Sequence, residues 1–99
     1  SIYTHKKMKT NPENSLEALL LVRERIENFN EFDNDEAMSD FFVNLAKEKE
    51  LKNGRIMWPV RVALTNKSFT PGGAVEIAHI LGKEETLRRI DQAIIDLQQ

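Results

Sequence analysis

An all-α fold, a compact bundle of about five helices, is what this sequence predicts, and three observations carry the prediction. Apolar residues return every three or four positions through most of the chain, the period of a helix face. Helix-capping residues and helix-stopping residues divide those runs at regular intervals. No stretch alternates apolar and polar residues convincingly over the length of a strand.

The opening "SIYTHKKMKTNPEN", residues 1–14, reads as a basic lead-in segment, and residues 15–99 as the helical domain. The first helix is expected after that segment, with Asn14 as its cap and Glu17 three residues on in capping-box position. Leu16, Leu19, Leu20, Ile26 and Phe29 then recur near helical spacing. "NFNEFDND" interrupts the pattern with small polar residues that favour turns. Asp35 is the expected cap of a second helix carrying Met38, Phe41, Phe42, Leu45 and the stem of Lys49. Carboxylates near its start suit the positive end of the helix dipole.

Lys52-Asn53-Gly54 reads as the stop of that helix. Ile56, Val60 and Leu64 stand four apart, which favours a helix over a strand. Pro59 lacks an N–H and crowds the preceding turn, so a kink or two short turns are expected there. Thr70-Pro71 pairs a hydroxyl cap with a proline at the first helical position. The helix it opens is expected to carry Val75, Ile77, Ala78 and Leu81 and to stop at Gly82. A last helix takes Leu87, Ile90, Ala93, Ile94 and Leu97, with Glu84 and Glu85 in its first turn.

Composition narrows the class of function. At 99 residues the chain is one small domain, and 40% apolar with 30% charged residues is a globular mixture. No apolar run approaches the roughly 20 residues of a membrane span. The start lacks the apolar block of a secretory leader, so a cytoplasmic protein without membrane partners is expected. The absence of cysteine excludes disulfides, thiolate nucleophiles and Cys-ligated zinc.

Charge is unevenly placed. Residues 1–50 carry a net −4 and residues 51–99 a net +2. Between Glu50 and Glu76 there is no acid, while Lys52, Arg55, Arg61 and Lys67 all fall there. Between Ile26 and Ala46 there is no Lys or Arg, only Glu27, Glu31, Asp33, Asp35, Glu36 and Asp40 as charges. A polyanion is drawn to the first patch and repelled by the second, although such runs also occur as plain solvated faces.

Catalytic motifs are weak. Glu76 and His79 have the Glu-x-x-His spacing of di-metal bundles, but those need two such pairs and further carboxylates, so no metal site is expected. "DNDEAMSDFF" lacks the glycine and closing glutamate of a calcium loop. Ser15, Ser39 and Ser68 lie in no nucleophile elbow. "KKMKT", Lys6 to Thr10, is read as a basic entry to the domain with some scope for phosphate contact. The acid-free run is better suited to binding. Arg61 brings a planar fork that donates in pairs, and Thr70-Pro71-Gly72-Gly73 offers backbone amides with little bulk. Spacing leaves two readings open: a nucleic-acid surface, or a packed corner with Trp58 buried and Arg61 paired to an acid.

At "LKNGRIMWPVRVALTNKSFTPGGAVEIAHILGKEETLRRI" the chain resembles the C-terminal anticodon-binding region of bacterial-type, class I glutamyl-tRNA synthetases. The likeness rests on Lys52 and Gly54, then Trp58-Pro59-x-Arg61-x-Ala63-Leu64-Thr65, the Thr-Pro turn, Leu81-Gly82-Lys83-Glu84 and Arg89-Ile90. "YTHKKMKTNPENSL" resembles the segment leading into that region, so the resemblance covers nearly the whole chain. It departs at Asn66, where the family commonly has Gly, and the family's nucleotide-binding domain with its ATP-site motifs is missing.

The resemblance implies a C-terminal piece of a ligase that uses ATP and Mg²⁺ to attach glutamate to tRNA. It implies that the piece binds no cofactor, catalyses nothing alone, acts as a monomer and works with the enzyme's N-terminal domains. Carried over by position, Arg61 contacts an anticodon nucleotide, and Thr70, Pro71, Gly72, Gly73 and Ala74 cradle an adjacent base. Lys52, Arg55, Lys67, Lys6 and Lys7 are the expected phosphate contacts. The rival expectation is a helical protein-interaction module that docks through the acidic face between Glu27 and Asp40.

Overall fold

A computed structural model describes residues 2–67 and 72–99. Four helices run through them: α1 (Pro12–Ile26), α2 (Asp35–Glu48), α3 (Asn53–Thr65) and α4 (Ala74–Leu97). Among the described residues the only β pairing is an isolated bridge between His5 and Thr10. The all-α expectation holds, with one helix fewer than expected.

Two of the helices start where a cap side chain meets orphan amides, and in both it is not the expected residue. Asn11, not Asn14, caps α1: its Oδ1 accepts from the Asn14 N–H at 2.8 Å, and Asn14 Oδ1 accepts from the Asn11 N–H at 2.9 Å. This is a capping box with asparagine in the glutamate role, and Pro12 sits just after the cap, where its missing N–H costs nothing. Asn34, not Asp35, caps α2 by accepting from the Ala37 N–H at 3.0 Å. Asp35 and Glu36 then occupy the first turn, as the dipole favours.

The stop of α2 is also displaced. Glu50 takes the left-handed position, φ 55°, and the Glu50 and Leu51 N–H groups donate back to the Lys47 and Ala46 carbonyls. That is a Schellman closure, completed before Lys52-Asn53-Gly54 is reached. Asn53 and Gly54 instead open α3, with Lys52 at the cap position.

α3 is the central element, packed against α1, α2 and α4. Its Ile56, Trp58, Pro59, Val60, Val62 and Leu64 are all buried. Pro59 cannot donate to the Arg55 carbonyl, yet α3 continues through it as one helix rather than two short turns. Buried side chains on both sides of the proline hold the two halves in the same core. From the neighbours, Leu19, Val22 and Ile26 of α1, Met38 and Phe42 of α2, and Ala78 and Ile90 of α4 complete that core with no exposure.

Gly82 divides α4 into two helical arms, at the position where one helix was expected to stop and the next to begin. It leaves helical geometry at φ 81° and ψ 171°, a region open essentially to glycine alone. The break expected at Gly82 is present in the backbone, and a second helical arm follows it directly. The kink brings Lys83 to the end of α1, where its Nζ donates to the Glu27 carbonyl and to Asn30 Oδ1, both at 2.6 Å. Glu27 is the C-cap of α1, so this ammonium satisfies an orphan carbonyl and meets the negative end of the dipole.

Gly82→Ala is expected to destabilise the domain by about 1–3 kcal/mol, through backbone conformation alone. A Cβ there meets nothing within 4 Å, so a smaller loss in urea unfolding would mean that α4 re-straightens cheaply.

Candidate nucleic-acid interface

The site is built where α3 ends and α4 begins. Asn66 closes α3 in the left-handed conformation, φ 57° and ψ 32°, with its N–H donating to the Val62 carbonyl at 2.6 Å. Asparagine is among the few residues other than glycine that visit this region routinely. The departure at Asn66 therefore keeps the turn that a glycine would make. Thr65 Oγ1 donates to the Arg61 carbonyl at 2.8 Å, and Arg89 Nη1, reaching from α4, donates to the Leu64 carbonyl at 2.6 Å. The last turn of α3 is thus tied from within and from outside.

Arg89 is itself held. Glu85 Oε2 accepts from Arg89 Nε and from Arg88 Nη2, each at 2.6 Å, and Glu85 Oε1 accepts from Arg88 Nε at 2.8 Å. These bonds, the Arg88 pair first, pull the Glu85 carboxyl down from its ordinary 4.5 to about 2.

Across the loop, α4 starts at Ala74 with Gly73 as its cap. Thr70 and Pro71, the expected cap and first turn, lie outside the described residues and before this start. The Gly73 N–H donates to Glu76 Oε2. Gly73 has no side chain to return the bond, so this is half a capping box. The helix start was expected to present free amides, but at Gly73 a carboxylate already occupies that place. Glu76 also lies against the space that a side chain at Gly73 would need.

Between these two ends lies an open depression of 270 Å³ lined by Trp58, Arg61 and Met57 of α3, Gly73 and Ala74 of the α4 start, and Met8 over Gly54. Trp58 is 9% exposed and belongs to the core, so the packed-corner reading is right about the ring. Arg61 nevertheless sits on that ring, its guanidinium carbon 4.3 Å from the centroid, as a cation–π contact. The His5 ring meets Trp58 edge-on at 4.3 Å from the other partner segment, the lead-in. The indole N–H has no hydrogen-bond partner among the described residues, so packing alone positions the ring.

The candidate phosphate contacts divide. Lys7, Lys52 and Arg55 share a second depression of 220 Å³, joined by Lys9 of the same basic run as Lys7. Lys6 is exposed on the same loop but outside that lining, and Lys67 is exposed at the far end of α3. Glu76 and His79 do not converge: His79 Nδ1 lies 2.7 Å from Asp35 Oδ1 of α2 while Glu76 serves Gly73. Among the described residues no group of three or more His, Asp or Glu side chains is placed to hold a metal.

Residues 1–94 match the family described as "Anticodon binding domain". The chain belongs to this anticodon-binding family. It is 54% identical over 98% of its length to the glutamate–tRNA ligase of Clostridium tetani and 50% identical over 100% to that of Clostridium novyi. Against the glutamate–tRNA ligase of Clostridium acetobutylicum it is 48% identical over 99%. In each case it spans only 20% of the relative's length. No solved structure gives a significant match.

For this anticodon-binding domain, sequence reading missed Met8, Met57 and Arg89 as builders of the site. Arg89 stood inside the resembling pattern, but only its reach to Leu64 gives it a role.

A carboxyl held low in the fold stabilises it above the ordinary value near 4.5, and that contribution is lost as pH falls toward 2. Thermal melts of the native chain across pH 4.5 to 2 are therefore expected to fall more steeply than those of Glu85→Gln. Parallel acid limbs would show that Glu85 does not hold Arg89 in the folded state.

Proposed function

We propose that this domain reads the anticodon loop of a tRNA as part of a glutamate–tRNA ligase. The carrying observation is the depression that gathers Trp58, Arg61, Gly73 and Ala74 from two helices into one wall. Unpaired RNA bases are recognised by stacking on flat groups and by hydrogen bonds along their edges. Here the guanidinium of Arg61 supplies both capacities, and the buried indole beneath it fixes its position. Gly73 adds no side chain and Ala74 only a methyl, so the α4 start lines the depression with little bulk.

In this reading Arg61 selects a nucleotide, and Thr70, Pro71, Gly72, Gly73 and Ala74 cradle its neighbour. Lys52, Arg55 and Lys67 supply salt-dependent affinity for phosphates. Glu76, already bound at Gly73, opposes a phosphate at the α4 start, so a neutral base edge suits that place better. The lead-in, residues 1–14, and the helical domain, residues 15–99, act together. We assign ATP, Mg²⁺ and glutamate to the part of the ligase outside this chain, and expect a monomeric cytoplasmic enzyme. Among the described residues no helix is long and apolar enough to cross a membrane.

Binding of RNA hairpins that differ only in the anticodon tests the assignment. Arg61→Ala is expected to reduce discrimination between them by about 1–3 kcal/mol, the worth of a bidentate base contact. Equal weakening on every anticodon would remove Arg61 from base selection. Lys52→Ala and Lys67→Ala are each expected to leave discrimination intact and flatten the salt dependence by about 0.7 in log–log slope. A slope unmoved by both would remove them from phosphate binding.

A further inference from the structure

We propose that the lead-in loop, residues 5–10, is the phosphate-binding wall of the anticodon site, carrying the RNA strand away from the base depression. The proposal rests on the anticodon reading above and adds a ligand path to it.

The loop is a built element. His5 and Thr10 exchange both backbone hydrogen bonds at 3.2 Å, and Lys9 closes the turn at φ 57°. The Met8 N–H donates to His5 Nδ1 at 3.2 Å, and Asn14 Nδ2 of α1 donates to the Lys9 carbonyl at 3.0 Å. Two contacts then seat it on α3. The His5 ring meets Trp58 edge-on, and Met8 lies so close over Gly54 that any side chain there would overlap its sulfur. Glycine at position 54 is what allows this approach.

Seated this way, the loop joins the two depressions. Met8 and Gly54 line both, so the space beside Trp58 and Arg61 continues over a methionine ridge into the space beside Lys7, Lys9, Lys52 and Arg55. Four cations face one carboxylate there, Glu50. Among the described residues none of the four takes part in an ion pair. Cations without protein partners are the ones that exchange bound counterions for phosphates. The base depression is mostly apolar and its neighbour is cationic, which matches the two chemistries of one nucleotide strand: a base to stack and a backbone to neutralise.

The salt dependence of binding reports phosphate contacts more directly than affinity at one salt does, so the test reads the slope. RNA hairpins carrying the glutamate anticodon, and the same hairpin with a different anticodon, are titrated against the 99-residue chain over a range of salt. The Lys7→Ala/Lys9→Ala double variant is expected to flatten the log–log slope by about 1.4, two single-strand phosphate contacts, while the ratio between anticodons stays unchanged. Lys7→Arg/Lys9→Arg is expected to keep the slope. Both lysines are exposed, and circular dichroism checks that the variants keep their helices. An unchanged slope in the double alanine variant overturns the proposal but leaves the anticodon reading standing, provided Arg61→Ala still alters discrimination. Loss of discrimination in the alanine variant also overturns it, since the loop would then act on bases. If the unaltered chain distinguishes no hairpin at any salt, the anticodon reading itself falls.

Discussion

Everything in this domain depends on how two helix ends are closed. α1 and α3 both finish with carbonyls that have no intrahelical partner, and each is met by a cation from α4. Lys83 reaches the Glu27 carbonyl at the end of α1, and Arg89 reaches the Leu64 carbonyl at the end of α3. Hydrogen bonds from charged donors are worth roughly 1.5–3 kcal/mol each, with the lower end appropriate to partly exposed groups such as these. They also set geometry. Gly82, between the two arms of α4, lets one helix serve both ends by adopting a conformation closed to other residues. The surface pairs Arg23 with Asp91 and Arg25 with Glu48 also cross between helices, but exposed ion pairs contribute little.

The site inherits its geometry from that closure. With Leu64 tied by Arg89 and Asn66 turned left-handed, the chain leaves α3 in a defined direction, and it enters α4 at a start defined by Glu76 on Gly73. Arg61 is placed by a ring that belongs to the core, so the same Trp58 serves packing and the interface. The two readings that spacing left open are therefore not exclusive. A side chain can be buried on one side and still form the floor on which an exposed partner rests.

Local signals in the sequence were legible in proportion to how local their physics is. The helical period, the acidic first turn of α2 and the break at Gly82 all reflect interactions within a few residues, and all are present in the structure. The caps were misplaced by one to three residues. Asn11 and Asn14 satisfy each other as a pair, and Asn34 competes with Asp35 for the same role, so residue type alone does not choose between neighbours. Pro59 is a different case. Its local cost argued for a kink or two short turns, and with burial on both sides the chain runs through it as one helix.

From the sequence by itself come the helical class, the charge segregation and the family resemblance, because periodicity, composition and ordered motifs need no knowledge of distant contacts. Tertiary structure alone decided what those residues touch. Lys7 and Lys52 are far apart in the chain, yet they line one depression because Met8 lies down on Gly54. Lys83 and Arg89 stood in the resembling motifs with no contact assigned to them, and the packing of α4 places them at the ends of other helices. Contacts of that separation depend on how whole helices pack, and no local pattern of residues records where a neighbouring helix will end.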